Sequence, residues 1–350
     1  PEDCHYGVIN SRDYALFREA GLKEEGLHRI FNVVQPLPSS DVFDAGAGFE
    51  GVNFGRMGES ESGREFRKSG RSLLLYAVRA IRRKNLGEAL LLSCFLPTGF
   101  QVGLTLPPTS PFDYPAYEEW KAFAVQEKLA VSFELGLGHS LGELVGRSAL
   151  MLTTSIREGF GFSFLEPWTA GRAVTGRRLE AVAPDFAEQG VDLSSLYEGI
   201  AVPLDMIDSC RLRNLWLHVV ELHCLQYGTD APFDAKGAWN AMTVQGYIDF
   251  AYLDAAAARM LISLCAMRAD ARDVLARRNP FLSRLLEPAK DADLIRRNSR
   301  VIAEKYSREK YSAALLSIYK KVMTPVTQKI DKKKLLGSFL KPENFLLGGM

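Results

Sequence analysis

Two glutamates, Glu158 and Glu166, stand with seven residues between them in SIREGFGFSFLEPWTAG, and Gly159-Phe160-Gly161 follows directly on the first. Glycines there let the backbone turn tightly and come close to a ligand without side-chain interference. The apolar run 149–152 before the turn and the apolar segment after it, which stops at Gly171, mark a strand-to-helix junction. A helix starting at such a turn presents unpaired N–H groups and a partial positive charge, which suits a phosphate. Each carboxylate can accept hydrogen bonds from a pair of hydroxyls. A ligand with a sugar at one end, a diphosphate in the middle and a ribose at the other matches this pattern. The diphosphate also needs fixed cations, and Arg79 and Lys84 stand at a second strand-to-helix junction. Arginine offers a bidentate fork there and lysine a point charge.

The elements that must position these residues follow from the hydrophobic pattern. Residues 72–78 (SLLLYAV) form a near-continuous apolar run, as in a strand buried on both faces of a parallel sheet. Helix is expected at 84–95, strand at 101–106, helix at 115–127 with Pro115 in its first turn, and strand at 129–133. A short helix at 140–148 and strands at 149–153 and 172–175 complete the series. Strands alternating with helices predict an α/β fold, a Rossmann-like doubly wound parallel sheet. Ligands of such sheets sit beyond the carboxyl ends of the strands, the edge where Arg79 and Glu158 fall. Upstream, 5–10 and 27–35 read as strands around a helix capped by Ser11 or Asp13 and closed by Gly21. Beyond residue 205 the segments 205–226, 236–276 and 289–322 are rich in helix formers with no convincing strand, which predicts a helical C-terminal region over 206–350.

With 350 residues the chain is long enough for roughly two domains. Its 47% apolar and 24% charged content is that of a globular protein, and a net charge of +1 gives no case for bulk attraction to nucleic acid. Cysteines 4, 94, 210, 224 and 265 lack C-x-x-C spacing and read as reduced, mostly buried thiols of a cytoplasmic protein. No apolar run is long enough for a transmembrane segment. Residues 46–51 (GAGFEG) satisfy G-x-G-x-x-G, and with Val42-Phe43-Asp44 they mimic a methyltransferase loop for S-adenosylmethionine. That loop must open a helix, yet more glycines follow, so 41–71 reads as a Gly-rich linker. His218 and His223 are five apart and point to different faces of a helix, which argues against a shared metal. Lys332, Lys333 and Lys334 read as a solvated face.

On these residues the chain resembles the retaining GT-B glycosyltransferases. SIREGFGFSFLEPWTAGRAVTG is similar to their donor-binding signature, and RAIRRKN (79–85) to their paired Arg and Lys. The resemblance covers roughly 72–205, the C-terminal, nucleotide-sugar-binding half of the GT-B fold. CHYGVINSRDYALFREAGL and IFNVVQPL, within 1–40, resemble the last α/β unit of the other half, so an N-terminal domain is expected to be missing from this chain. The resemblance implies a metal-independent hexosyltransferase with no cofactor, using a nucleotide-diphosphate sugar, with UDP among its carriers, and a carbohydrate or small-molecule acceptor. By the same match Glu158 contacts donor hexose hydroxyls, and Gly159, Phe160 and Gly161 cradle sugar and phosphate. Glu166 would hold the ribose, Arg79 and Lys84 would neutralise the leaving diphosphate, and 133–136 would lie by the base. No residue matches the histidine or acid that the other half contributes beside the reacting carbon. A non-catalytic nucleotide-sugar-binding module, or half of a split enzyme, is the alternative.

Overall fold

The computed structural model describes residues 3–38 and 70–349. The G-x-G-x-x-G loop and almost all of the Gly-rich segment 41–71 lie outside the described residues. The chain begins with a parallel pair, β1 (Tyr6–Val8) and β2 (Leu27–Arg29), joined across helix α1 (Ser11–Glu19). Asn10 caps α1 in place of Ser11 or Asp13: its backbone is extended and its side chain accepts from the Asp13 N–H.

Six parallel strands then form one sheet: β3 (Ser72–Arg79), β4 (Phe100–Leu106), β5 (Val131–Ser132), β6 (Ser148–Thr153), β7 (Val174–Arg177) and β8 (Leu196–Tyr197). Their order across the sheet is β5-β4-β3-β6-β7-β8, so the winding reverses between β3 and β6. The doubly wound α/β sheet is therefore as expected, with one more strand at its edge; two residues are too few for β8 to show a period. The apolar run of β3 has the anticipated cause. Leu74 and Tyr76 enter a core cluster on one face, while Leu73 and Leu75 pack with Leu135, Leu144 and Met151 on the other.

Between the strands lie α2 (Leu86–Ser93), α3 (Tyr114–Gln126), α4 (Leu135–Gly138), α5 (Leu141–Gly146), α6 (Glu166–Thr169) and α7 (Ala183–Glu188). The C-terminal region is helical, with α8 (Ser209–Gln226), α9 (Ala235–Thr243), α10 (Ala255–Met267), α11 (Ala269–Arg278), α12 (Ala292–Lys305), α13 (Arg308–Val322) and α14 (Lys332–Phe339). It also contains a strand that the sequence reading excluded: β10 (Tyr247–Asp249) pairs antiparallel with β9 (Ala201–Pro203). The region packs back on the sheet domain, α10 against α2 and α12 against α6. No described helix is long and apolar enough to cross a membrane. Of the cysteines Cys224 and Cys265 are buried, but Cys4 and Cys94 are half-buried and Cys210 is exposed, so "mostly buried" does not hold.

A buried ionic cluster ties the two regions together. Arg177, at the end of β7, donates from Nη2 to Glu88 Oε2 on α2 at 2.6 Å and from Nη1 to Asp249 Oδ2 on β10 at 2.6 Å. Tyr197 Oη and Asn85 Nδ2 donate to the same Glu88 carboxylate, each at 2.8 Å. Burial pushes the Glu88 pKa up against the pull of Arg177. Burial opposes the charge on Arg177 too, but Asp249 and Glu88 carry its pKa well above the ordinary value. Removing the shared cation strands two carboxylates, one of them fully buried. Arg177→Met is therefore expected to cost about 3–5 kcal/mol in urea unfolding at neutral pH; a loss below about 1 kcal/mol would contradict this role for the cluster.

Candidate functional site

Two loops leave the carboxyl ends of β3 and β6, the neighbouring strands at which the sheet order reverses. The first makes a 3-10 turn over Arg82–Lys84 and passes into α2 through Asn85, which is buried and held in the left-handed region (φ 47°). Side chains from below fix this turn. Tyr76 Oη donates to the Lys84 carbonyl at 2.8 Å, and Thr154 Oγ1, on the loop after β6, donates to the same carbonyl at 2.9 Å. The Ile156 N–H reaches the Arg83 carbonyl at 2.9 Å. The two loops are thus hydrogen-bonded to each other before either side chain acts.

The stitching delivers Lys84 to Glu158. The ammonium pairs with Glu158 Oε1, and Arg83 Nη1 reaches Oε2 at 2.5 Å. The side chains of Glu158 and Lys84 are only 8% and 12% exposed, so water screens this contact weakly. Burial pushes the Glu158 pKa up, but Lys84, a hydrogen bond from Ser155 and Arg83 bring it below its ordinary value. For Lys84 the balance runs the other way. Burial lowers its pKa, and attraction to Glu158 makes up only part of the loss. Two cations on one carboxylate leave the cluster with one net positive charge, ready to accept an anion.

Arg79, the other expected cation, is at the predicted edge but outside this cluster. It ends β3, and its Nη1 donates to the Pro107 carbonyl at 3.2 Å. Arg83 stands against Glu158 instead. The motif RAIRRK offers several cations, and the 3-10 turn over Arg82–Lys84 brings Arg83 and Lys84 to the carboxylate. The one signal in the sequence was the position of Arg83 next to Lys84.

Gly161 sits at φ +95°, and a Cβ there would lie 2.8 Å from Phe164, so this position requires glycine. Gly159 has no such need. Its carbonyl accepts from Asn10 Nδ2 at 2.9 Å, and Ile9 approaches it, so the start of α1 lies across the turn. Phe160 is buried with Phe31, Phe186 and Tyr306, which makes its side chain core and leaves only its backbone for a ligand. The expected helix after the turn is a 3-10 turn, Phe162–Phe164, followed by the four-residue α6. So short a helix has little dipole, and attraction for a phosphate must come from Lys84 and Arg83. Glu166 opens α6, half-buried, its carboxylate without a hydrogen-bond partner among the described residues, and burial alone raises its pKa.

Gly176 explains the end of the motif AGRAVTG. It lies at φ +136° in β7, and a Cβ there would be 1.8 Å from the Thr153 carbonyl oxygen of β6. Only glycine lets β7 close on β6 just before the loop that carries Glu158. The C-terminal segment arrives unforeseen from the other side. Arg157 donates to the Asn344 carbonyl, Trp216 Nε1 donates to the Phe345 carbonyl at 3.0 Å, and Gly348 packs on Asn85.

The Lys84–Glu158 contact has a pH signature. A carboxyl held below its unfolded value stabilises the fold above that value, 4.5, and loses the contribution as pH falls through the lowered one. The stability gap between the wild-type chain and Glu158→Gln should therefore narrow as pH falls below this range. In Lys84→Met, NMR titration of the Glu158 carboxyl should show its pKa moved up. An unmoved titration would mean that Lys84 does not hold it.

No protein-family model matches the chain, and no curated protein matches it. Similar solved structures include TarM, at 12% identity over 91% of this chain and 43% of that one, with a TM-score of 0.47. HepE from Anabaena in complex with UDP-glucose matches at 11% identity over 90% and 64%, with a TM-score of 0.48. Sucrose-phosphate synthase from Thermosynechococcus elongatus matches at 14% identity over 91% and 58%, with a TM-score of 0.46. The chain thus spans 43% to 64% of the length of these structures.

Proposed function

We propose that residues 72–205 bind a nucleotide-diphosphate hexose and that the chain is the donor-binding part of a retaining glycosyltransferase. The observation that carries this reading is the sharing of one shielded carboxylate, Glu158, by Lys84 and Arg83 at the reversal point of the sheet. The half-buried Glu166, whose carboxylate has no partner among the described residues, supports it from the far side of the glycine turn. The donor diphosphate would draw Lys84 and Arg83 onto its oxygens and free Glu158 to accept from hexose hydroxyls. Glu166 would take the ribose hydroxyls, and the backbone of Gly159-Phe160-Gly161 would line the space between. Arg79, at the end of β3, is the cation that the sequence resemblance assigns to the diphosphate beside Lys84.

In the reaction the anomeric C–O bond to the diphosphate breaks and an acceptor hydroxyl adds on the same face. Fixed positive charge matters most as negative charge builds on the leaving oxygen and an oxocarbenium-like sugar forms. On this reading Lys84 and Arg83 accelerate departure because they are already in place. Lys84→Ala should lower turnover by about 10²–10³-fold, the scale for losing one such donor, without unfolding the chain. Full turnover in this variant would refute the phosphate assignment.

A non-catalytic binding module is the second reading, since no residue of the sequence matches the histidine or acid that the other half of the GT-B fold contributes beside the reacting carbon. Calorimetry with UDP, GDP and ADP sugars beside a hydrolysis assay separates the two, because a module binds without turnover. Glu166 supplies a pH test of the binding mode. If it accepts ribose hydroxyls as a carboxylate, binding is full above its raised pKa and weakens as pH falls through it. Glu166→Gln should flatten that profile; an unchanged profile would remove Glu166 from the ribose.

A further inference from the structure

Next to the Lys84–Glu158 cluster lies a cavity of about 830 Å³. It lies between the start of α1, the two site loops and α14. Arg12, Arg82, Arg83, Arg157 and Lys332 line it, against only Asp13 and Glu158 as acids. Arg82 pairs with Asp113, and Arg83 with Glu158. Arg157 reaches only a carbonyl, and Arg12 and Lys332 have no carboxylate partner among the described residues. Part of the lining is apolar. Leu335, Leu336 and Phe339 face the cavity from α14, with Leu340 after them. Phe339 remains 49% exposed, so this part is not closed by the protein's own core.

Cations without a carboxylate partner and apolar side chains with Phe339 exposed among them, in one cavity, call for a ligand that carries both characters. We propose that this cavity binds a phosphate ester joined to an apolar chain, the head against Arg12, Arg157 and Lys332 and the chain along Leu335, Leu336 and Phe339. Because Glu158 and Arg83 form part of its lining, the ligand is the acceptor, or the carrier of the acceptor hydroxyl. The acceptor role rests on the donor reading of Glu158; binding of the amphiphile does not. Lys332 is exposed, as expected of a solvated charge, and also lines the cavity. Phosphate affinity comes from charge, and the apolar chain adds to it by leaving water.

The test is calorimetry on the full chain with dioctanoyl phosphatidic acid below its micellar concentration. sn-Glycerol 3-phosphate serves as the head alone and dioctanoylglycerol as the tail alone. The amphiphile should bind at least tenfold more tightly than either part. The pair Arg12→Ala/Lys332→Ala and the single variant Phe339→Asp should each weaken it at least tenfold while leaving UDP binding unchanged. Equal affinity for glycerol phosphate and the amphiphile, or no loss in either variant, would overturn the proposal. A chain that binds the amphiphile but no nucleotide would sink the donor reading and leave the cavity assignment standing. Nucleotide binding without amphiphile binding would do the reverse.

Discussion

A carboxylate withdrawn from water must have its charge met, and at Glu158 that requirement organises the site. Lys84 lies deep enough to lose part of its own hydration, so neither partner is at ease without the other. Arg83 adds the charge that turns a neutral pair into a positive cluster. A surface ion pair with this geometry would contribute little and be screened by salt. Shielding makes it strong and also makes it exchangeable: an incoming phosphate can offer each cation what the carboxylate offered.

The rest of the architecture keeps that exchange local. The loop of Lys84 is bonded through its backbone carbonyls to Tyr76 and Thr154, so its side chain can change partners without the turn moving. Gly176 allows β7 to close on β6 directly below the second loop. Behind α2, the Glu88–Arg177–Asp249 cluster joins the sheet to β10 and hence to the C-terminal region. Asn85 connects this cluster to the site, since it follows Lys84 in the chain and donates to Glu88. The buried charges thus hold a scaffold whose upper edge carries Lys84, Arg83 and Glu158.

The fold was readable wherever local pattern and long-range packing agreed. The two-sided burial of β3 was visible in SLLLYAV because every residue there serves one face or the other. β8 and β10 were not visible, since two or three residues show no periodicity and their pairing depends on distant partners. In the site, the glycine turn, Glu158 and Lys84 were legible from spacing. The choice of Arg83 depended on the 3-10 turn over Arg82–Lys84 and on the hydrogen bonds between the two loops beneath it, which are not written locally. The approach of the C-terminal segment joins residues far apart in sequence, such as Arg157 with Asn344, and no motif announces it.

The central claim is that the Lys84–Arg83–Glu158 cluster is a diphosphate site. Its most direct measurement is a calorimetric comparison of each nucleoside with its diphosphate (uridine with UDP, guanosine with GDP, adenosine with ADP) on the wild-type chain and Lys84→Met. The account predicts that for one base the diphosphate supplies most of the affinity and that this increment vanishes in the variant. A nucleoside that binds as tightly as its diphosphate, or an increment that survives the loss of Lys84, would contradict it.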